Sequence, residues 1–186
     1  MTKVLLCSAS PRRRSLLAKL ISDFDVIASG ADESSRYVRP HLRVMDLAKR
    51  KGLVAVSEDR LVIASDTLVY HGGKYYGKPQ DRADAIAMLR ELSGVWHSVY
   101  TGVYLARGGE ELLFYDRADV LFKILTEEMI AKYVDEYSPL DKAGAYGIQD
   151  GVVVEKYRGS FDTIMGLPTE KLEIYLERMG VENVCK

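Results

Sequence analysis

The chain has 186 residues, of which 47% are hydrophobic and 28% charged, enough apolar material to bury a core and too much for a disordered chain. Its 26 basic and 27 acidic residues leave a formal charge of -1, which excludes a global field steering it onto nucleic acid or an anionic membrane. Any recognition of phosphate must be local.

Residues 3–9 form an apolar run that reads as a buried strand, and residues 11–21 read as a helix on the spacing of Leu16, Leu17, Leu20 and Ile21. Ser10 stands at its cap, Pro11 at its first position, and Arg12, Arg13 and Arg14 fill its first turn. A helix N-terminus carries about half a positive charge, so each of these cations is misplaced by about 0.3–1 kcal/mol. Two explanations are open: an anion such as phosphate is held by the amides and the Arg12 and Arg13 forks, or the arginines are a solvated basic end. No long apolar signal region precedes the first strand and no 18-residue apolar stretch follows, so a cytoplasmic protein away from membranes is expected.

A short strand at 25–28 leads to a polar loop at 29–39 that contains Glu33, long enough to be functional. Residues 41–57 carry a helical pattern with Lys51 inside it and Gly52 as a weak spot. The apolar run 61–70 reads as a strand broken by Ser65-Asp66-Thr67, and His71-Gly72-Gly73-Lys74 as the turn of a hairpin. Further helices are predicted at 81–92, 126–137 with Thr126 as cap, and 168–179; further strands at 96–106, 111–125 and 152–157; and loops at 141–149 and 159–166. Strands alternate with helices and then form hairpins, which predicts one α/β domain with a mixed sheet covered by helices.

Asp66 is the most suggestive acid, because ionising it inside an apolar strand requires a metal, a lysine or hydrogen-bond donors. With Thr67 beside it and Glu33 as a second oxygen donor, the chemistry suits Mg²⁺ or Mn²⁺; a salt-bridged strand aspartate is the plainer alternative. His41, His71 and His97 form no zinc pattern, and Cys7 and Cys185 stand too far apart in sequence for a metal motif or disulfide framework. The run from Gly72 to Lys78 has P-loop spacing, but Pro79 replaces the hydroxyl that such a loop needs, so Lys78 is retained only as a phosphate-binding candidate. No Gly-x-Ser-x-Gly elbow accompanies Ser8 or Ser10, and His97 reads as a core strand residue rather than a base.

Taken in order, Ser8-x-Ser10-Pro11-Arg12-Arg13, Glu33, Lys51, Ser65-Asp66-Thr67, Gly77-Lys78-Pro79, the segment from Leu92 to Val103 with His97, the segment from Asp141 to Gln149, and Gly166-Leu167-Pro168 closely resemble the Maf family of nucleoside triphosphate pyrophosphatases. The likeness spans nearly the whole chain. It implies an α/β fold with a mixed twisted β-sheet flanked by helices, in an inosine-triphosphatase-like two-lobed architecture with a central cleft. It also implies hydrolysis of a nucleoside triphosphate to the monophosphate and pyrophosphate, with a divalent metal cation. By that resemblance Asp66 is the acid-base or metal-organising residue, Glu33 a second metal-site acid, and Lys51 and Lys78 cations on the triphosphate. Ser8, Ser10 and Arg13 hold phosphate, while Arg12, Thr67 and Gln149 resemble the branch acting on dTTP and UTP rather than the one acting on 7-methyl-GTP. A homodimer is implied as well. Two alternatives stand beside this reading: a nucleotide-binding regulator of cell division or septum formation without turnover, and a phosphatase that removes the terminal phosphate.

Overall fold

A computed structural model describes residues 3–32 and 34–181. Glu33 and Cys185 lie outside the described residues. The strands are β1 (Lys3–Cys7), β2 (Asp25–Ile27), β3 (Arg60–His71), β4 (Lys74–Tyr76), β5 (Trp96–Arg107), β6 (Glu110–Phe122) and β7 (Val154–Arg158). They form a seven-stranded mixed sheet in the order β2-β1-β3-β5-β6-β7, with β4 paired to β3. The helices are α1 (Pro11–Leu17), α2 (Pro40–Leu53), α3 (Arg82–Leu92), α4 (Glu127–Tyr137), α5 (Phe161–Met165) and α6 (Thr169–Arg178). The mixed α/β fold expected from the sequence is the one observed.

Several expected bounds need correction. The helix read at 41–57 ends at Leu53, four residues early, and the strand read at 111–125 ends at Phe122. Helix α1 stops at Leu17, four residues early, although Leu20 and Ile21 remain buried in the turn that follows. Residues 159–166 are not all loop: α5 occupies five of them and buries Thr163 and Ile164. A helix this short spans less than two turns, so no periodic pattern marks it in the sequence.

The chain divides into two compact units, one formed by residues 1–66, 101–116 and 166–186, the other by residues 67–100 and 117–165. In the first, β1 pairs in parallel with β2 and with the start of β3, placing Leu5 opposite Asp25 on one side and Val62 on the other. A parallel strand with neighbours on both sides is covered on both faces, which is why Val4, Leu5, Leu6 and Cys7 are all buried. Helix α2 lies very close to β5. A Cβ on Gly102 would stand 2.5 Å from the carbonyl carbon of Val44, and one on Gly52 would stand 2.3 Å from the Tyr104 ring. Gly52 is therefore a packing requirement, not the weak spot that helix propensity suggests. Small neighbours, Ala48, Ala64 and Cys7, complete this thin core with Leu5, Val62 and Tyr104.

In the second unit, α3 buries Ala85, Leu89 and Leu92, and α4 buries Ile130, Tyr133 and Val134, in one cluster with Val99, Val120 and Phe122. Both helices are capped by side chains: Asp81 Oδ1 accepts from the Asp84 amide at 2.8 Å, and Thr126 Oγ1 from the Met129 amide at 3.2 Å, as expected for Thr126. His97 sits inside this core, its Nε2 3.1 Å from the Tyr146 hydroxyl and its ring edge-on to Phe122. Burial pulls its pKa from 6.5 down to about 4.

Replacing Gly102 with alanine forces backbone atoms apart and should lower unfolding stability in urea by about 1–3 kcal/mol or more. Gly77→Ala, with nothing within 4 Å of the new methyl, should stay within about 0.5 kcal/mol. A second expectation concerns pH. The unfolded chain binds a proton at His97 that the folded chain refuses, so stability is lost as pH falls from about 6.5 to about 4 and levels off below. His97→Asn should flatten that segment of a urea-midpoint profile; an unchanged slope contradicts the assignment.

Candidate active site

The four residues Leu61, Val62, Ile63 and Ala64 are buried without any exposed surface, and β3 remains buried through Ser65 and Asp66, the latter 8% exposed. A carboxylate at that depth needs a partner. It has Lys51, whose Nζ lies 2.6 Å from Asp66 Oδ1, with both side chains only 12% exposed. Lys51 stands in the last turn of α2, seven residues after Val44, and two helical turns return a side chain to the same face. The contact of Val44 with Gly102 thus brings Lys51 to β3.

The residue before Asp66 is held by a closed ring of hydrogen bonds. Arg13 Nη1 donates to the Ser65 carbonyl at 2.8 Å and Arg13 Nε to the Gly166 carbonyl at 3.0 Å. Ser65 Oγ donates to that same Gly166 carbonyl at 3.0 Å. Two of the Arg13 donors that the sequence assigned to an anion therefore bind backbone oxygens. Ser10 has the extended backbone of a cap but makes no side-chain cap bond, and the Ser8 hydroxyl accepts from the Ser10 amide at 3.2 Å. Arg12 is half-buried in the same turn of α1, which carries no acidic residue there.

The other candidates belong to the second unit. Thr67 is half-buried on β3, directly after Asp66. Gly72 and Gly73, with φ of 56° and 86°, make the tight turn between β3 and β4, as the hairpin reading requires and a P-loop does not. Lys78 is exposed just beyond β4, beside Gly77, whose carbonyl accepts from the Gly144 amide at 3.0 Å. Gln149 is exposed in the 3-10 turn Ile148–Asp150. The sequence reading missed Ser65 as a bonding partner, and with it Tyr133 and Asp150, whose hydroxyl and carboxylate meet at 2.6 Å beneath the turn of Gln149.

Among the described residues no three His, Cys, Asp or Glu side chains gather as a metal site. Asp66 is a single hard oxygen donor, and Mg²⁺ is usually held by one or two carboxylates with the remaining positions taken by phosphate and water. One carboxylate of this kind fits a divalent ion that takes most of its oxygen ligands from elsewhere. Cys7 is a free, buried thiol whose pKa is pushed up to about 11 by burial, which makes it inert packing. Among the described residues no helix is long and apolar enough to cross a membrane.

Fold and site together define a class of small α/β proteins to which solved structures can be compared. The Staphylococcus aureus Ham1 protein matches with a TM-score of 0.56 at 15% identity, covering 96% of this chain and 100% of that one, a likeness of fold. The sequence is more specific. The family model for Maf-like proteins matches residues 3–179, and the chain belongs to that family. Its curated relatives include the dTTP/UTP pyrophosphatase of Caldicellulosiruptor bescii, 40% identical over 98% of this chain and 97% of that protein. The proteins of the same name from Aquifex aeolicus, 41% identical over 96% of each chain, and from Bacillus cereus strain AH187, 37% identical over 98% of each, are further examples.

The ring around Gly166 can be tested by stability alone. Arg13→Lys keeps the charge but loses the planar fork, and should lower the melting temperature by about 4 °C or more. Ser65→Ala should cost about 1 kcal/mol, and the two changes should combine non-additively because they share one carbonyl. Unchanged melting in both variants contradicts a clasp.

Proposed function

We propose that this protein hydrolyses nucleoside triphosphates between the α and β phosphates, releasing a monophosphate and pyrophosphate, with dTTP and UTP as its preferred substrates. The observation that carries the reading is the buried Asp66 carboxylate held by Lys51 inside β3. A carboxylate is a proton acceptor, and the activity named for the relatives requires water to attack phosphorus and lose a proton. Asp66 takes a proton as the water oxygen bonds to the α-phosphorus, the bond to the bridging oxygen breaks, and pyrophosphate leaves. Lys51 holds the carboxylate in place and offsets its charge.

The remaining roles follow from the same resemblance. Lys78 and Arg12, with the Ser8 and Ser10 hydroxyls, take the negative charge of the phosphates; Arg13 contributes by fixing the Ser65 carbonyl next to Asp66. Because α1 has only seven residues, the phosphate site rests on these side chains rather than on a helix dipole. Asp66, with Glu33 as a second carboxylate, is the donor set for a divalent cation, Mg²⁺ or Mn²⁺. Such an ion, when bound, supplies charge neutralisation on the phosphate oxygens. Arg12, Thr67 and Gln149 select the base, Gln149 by offering one donor and one acceptor side by side. The proposal extends to a cytoplasmic homodimer acting on free nucleotides.

Asp66→Asn preserves shape and should leave the circular dichroism spectrum unchanged while lowering pyrophosphate release from dTTP by about a thousandfold. Resolving the products of the native protein decides the reaction: monophosphate with pyrophosphate supports it. Diphosphate with inorganic phosphate indicates a phosphatase, and binding without turnover a regulator; either overturns the proposal.

A further inference from the structure

Tyr133 is 1% exposed on α4, packed among Ile130 and Val134 and stacked on Tyr137 at 5.0 Å between ring centroids. That packing accounts for the ring but not for the hydroxyl. The hydroxyl donates to Asp150 Oδ2 at 2.6 Å and accepts from the Gly147 amide at 3.0 Å. Its two partners stand at the two ends of the turn that carries Gln149. The turn is closed again by its own backbone, the Asp150 amide donating to the Gly147 carbonyl at 3.2 Å. Burial and the neighbouring carboxylate hold the phenol's pKa far above its ordinary value, so it remains a donor throughout the working pH range.

Gly147 shows where this leaves the Gln149 side chain. A Cβ on Gly147 would stand 2.5 Å from Gln149 Nε2 and 2.7 Å from Asp150 Oδ2, so the amide is folded back over its own turn although the residue is exposed. The orientation of that amide matters chemically. Uracil and thymine present an N–H donor beside a carbonyl acceptor, whereas cytosine presents a ring-nitrogen acceptor beside an amino donor. Rotating a glutamine amide by half a turn exchanges its donor and acceptor, so a freely rotating Gln149 serves both patterns and only a held one discriminates.

We propose that Tyr133, through Asp150 and the Gly147 amide, is a specificity-positioning residue that holds the Gln149 turn so that the amide accepts thymine and uracil and rejects cytosine. This rests on the reading of Gln149 as a base-contacting residue given above. The test compares kcat/KM for dTTP and dCTP in the native protein and in the Tyr133→Phe, Asp150→Asn and Gln149→Ala variants. The dTTP-to-dCTP ratio should fall about tenfold or more in Tyr133→Phe, fall in the same direction in Asp150→Asn, and approach the value of Gln149→Ala. A purely structural role for Tyr133 lowers both substrates in proportion and leaves the ratio unmoved.

The outcomes separate. An unchanged ratio in Tyr133→Phe, with a lowered ratio in Gln149→Ala, overturns the positioning role and leaves the base-contact reading standing. An unchanged ratio in Gln149→Ala, or a native protein that does not prefer dTTP, overturns that reading and the positioning role with it. Where Tyr133→Phe fails to fold, Asp150→Asn decides: a lowered ratio supports the proposal and an unchanged one overturns it.

Discussion

The close approach of α2 to β5 is the constraint from which the site follows. Val44 of α2 meets β5 where Gly102 has no side chain, and Gly52 at the far end of the helix meets the Tyr104 ring. With the helix lying this near the sheet, the lysine between those two contacts reaches a carboxylate in the middle of β3. Interiors are packed densely enough that one added methyl at either glycine displaces the helix rather than filling a gap. Gly52, beside Lys51, and Gly102, on a strand distant in sequence, thus place an ammonium against Asp66.

The pair they create is not an obvious source of stability. Taking a carboxylate and an ammonium out of water costs several kcal/mol each, and their mutual attraction often does no more than offset that loss. Two apolar residues of similar size at positions 51 and 66 would serve a core equally well. A strand that keeps an acid at this depth, with Arg13 and Ser65 securing the backbone one residue away, is organised around the carboxylate rather than around the core. That is why Asp66 is the centre of the proposed mechanism. In the second unit a buried phenol bonds both ends of the turn that carries Gln149.

The sequence made some of this legible and concealed the rest, for physical reasons. β1 and the first half of β3 were readable because parallel strands covered on both faces are continuously apolar, and Asp66 stood out because it interrupts such a run. Thr126 was readable as a cap from local chemistry alone. The need of Asp66 for a metal or a lysine was evident, but the partner was not, since nothing local joins residue 51 to residue 66. The ring of Arg13, Ser65 and Gly166 links residues 52, 101 and 153 positions apart, a pattern with no periodicity to detect. Gly52 was misread for the same reason: propensity describes the helix in isolation, and the Tyr104 ring is supplied by a distant strand.

A mutant cycle on kcat/KM for dTTP tests the central claim most directly, using Asp66→Asn, Lys51→Met and the double variant. If the two side chains act as one unit, each single change costs nearly the full effect and the double variant is little worse than either. Losses that multiply in the double variant contradict the claim, because they mean that Lys51 and Asp66 contribute to the reaction independently.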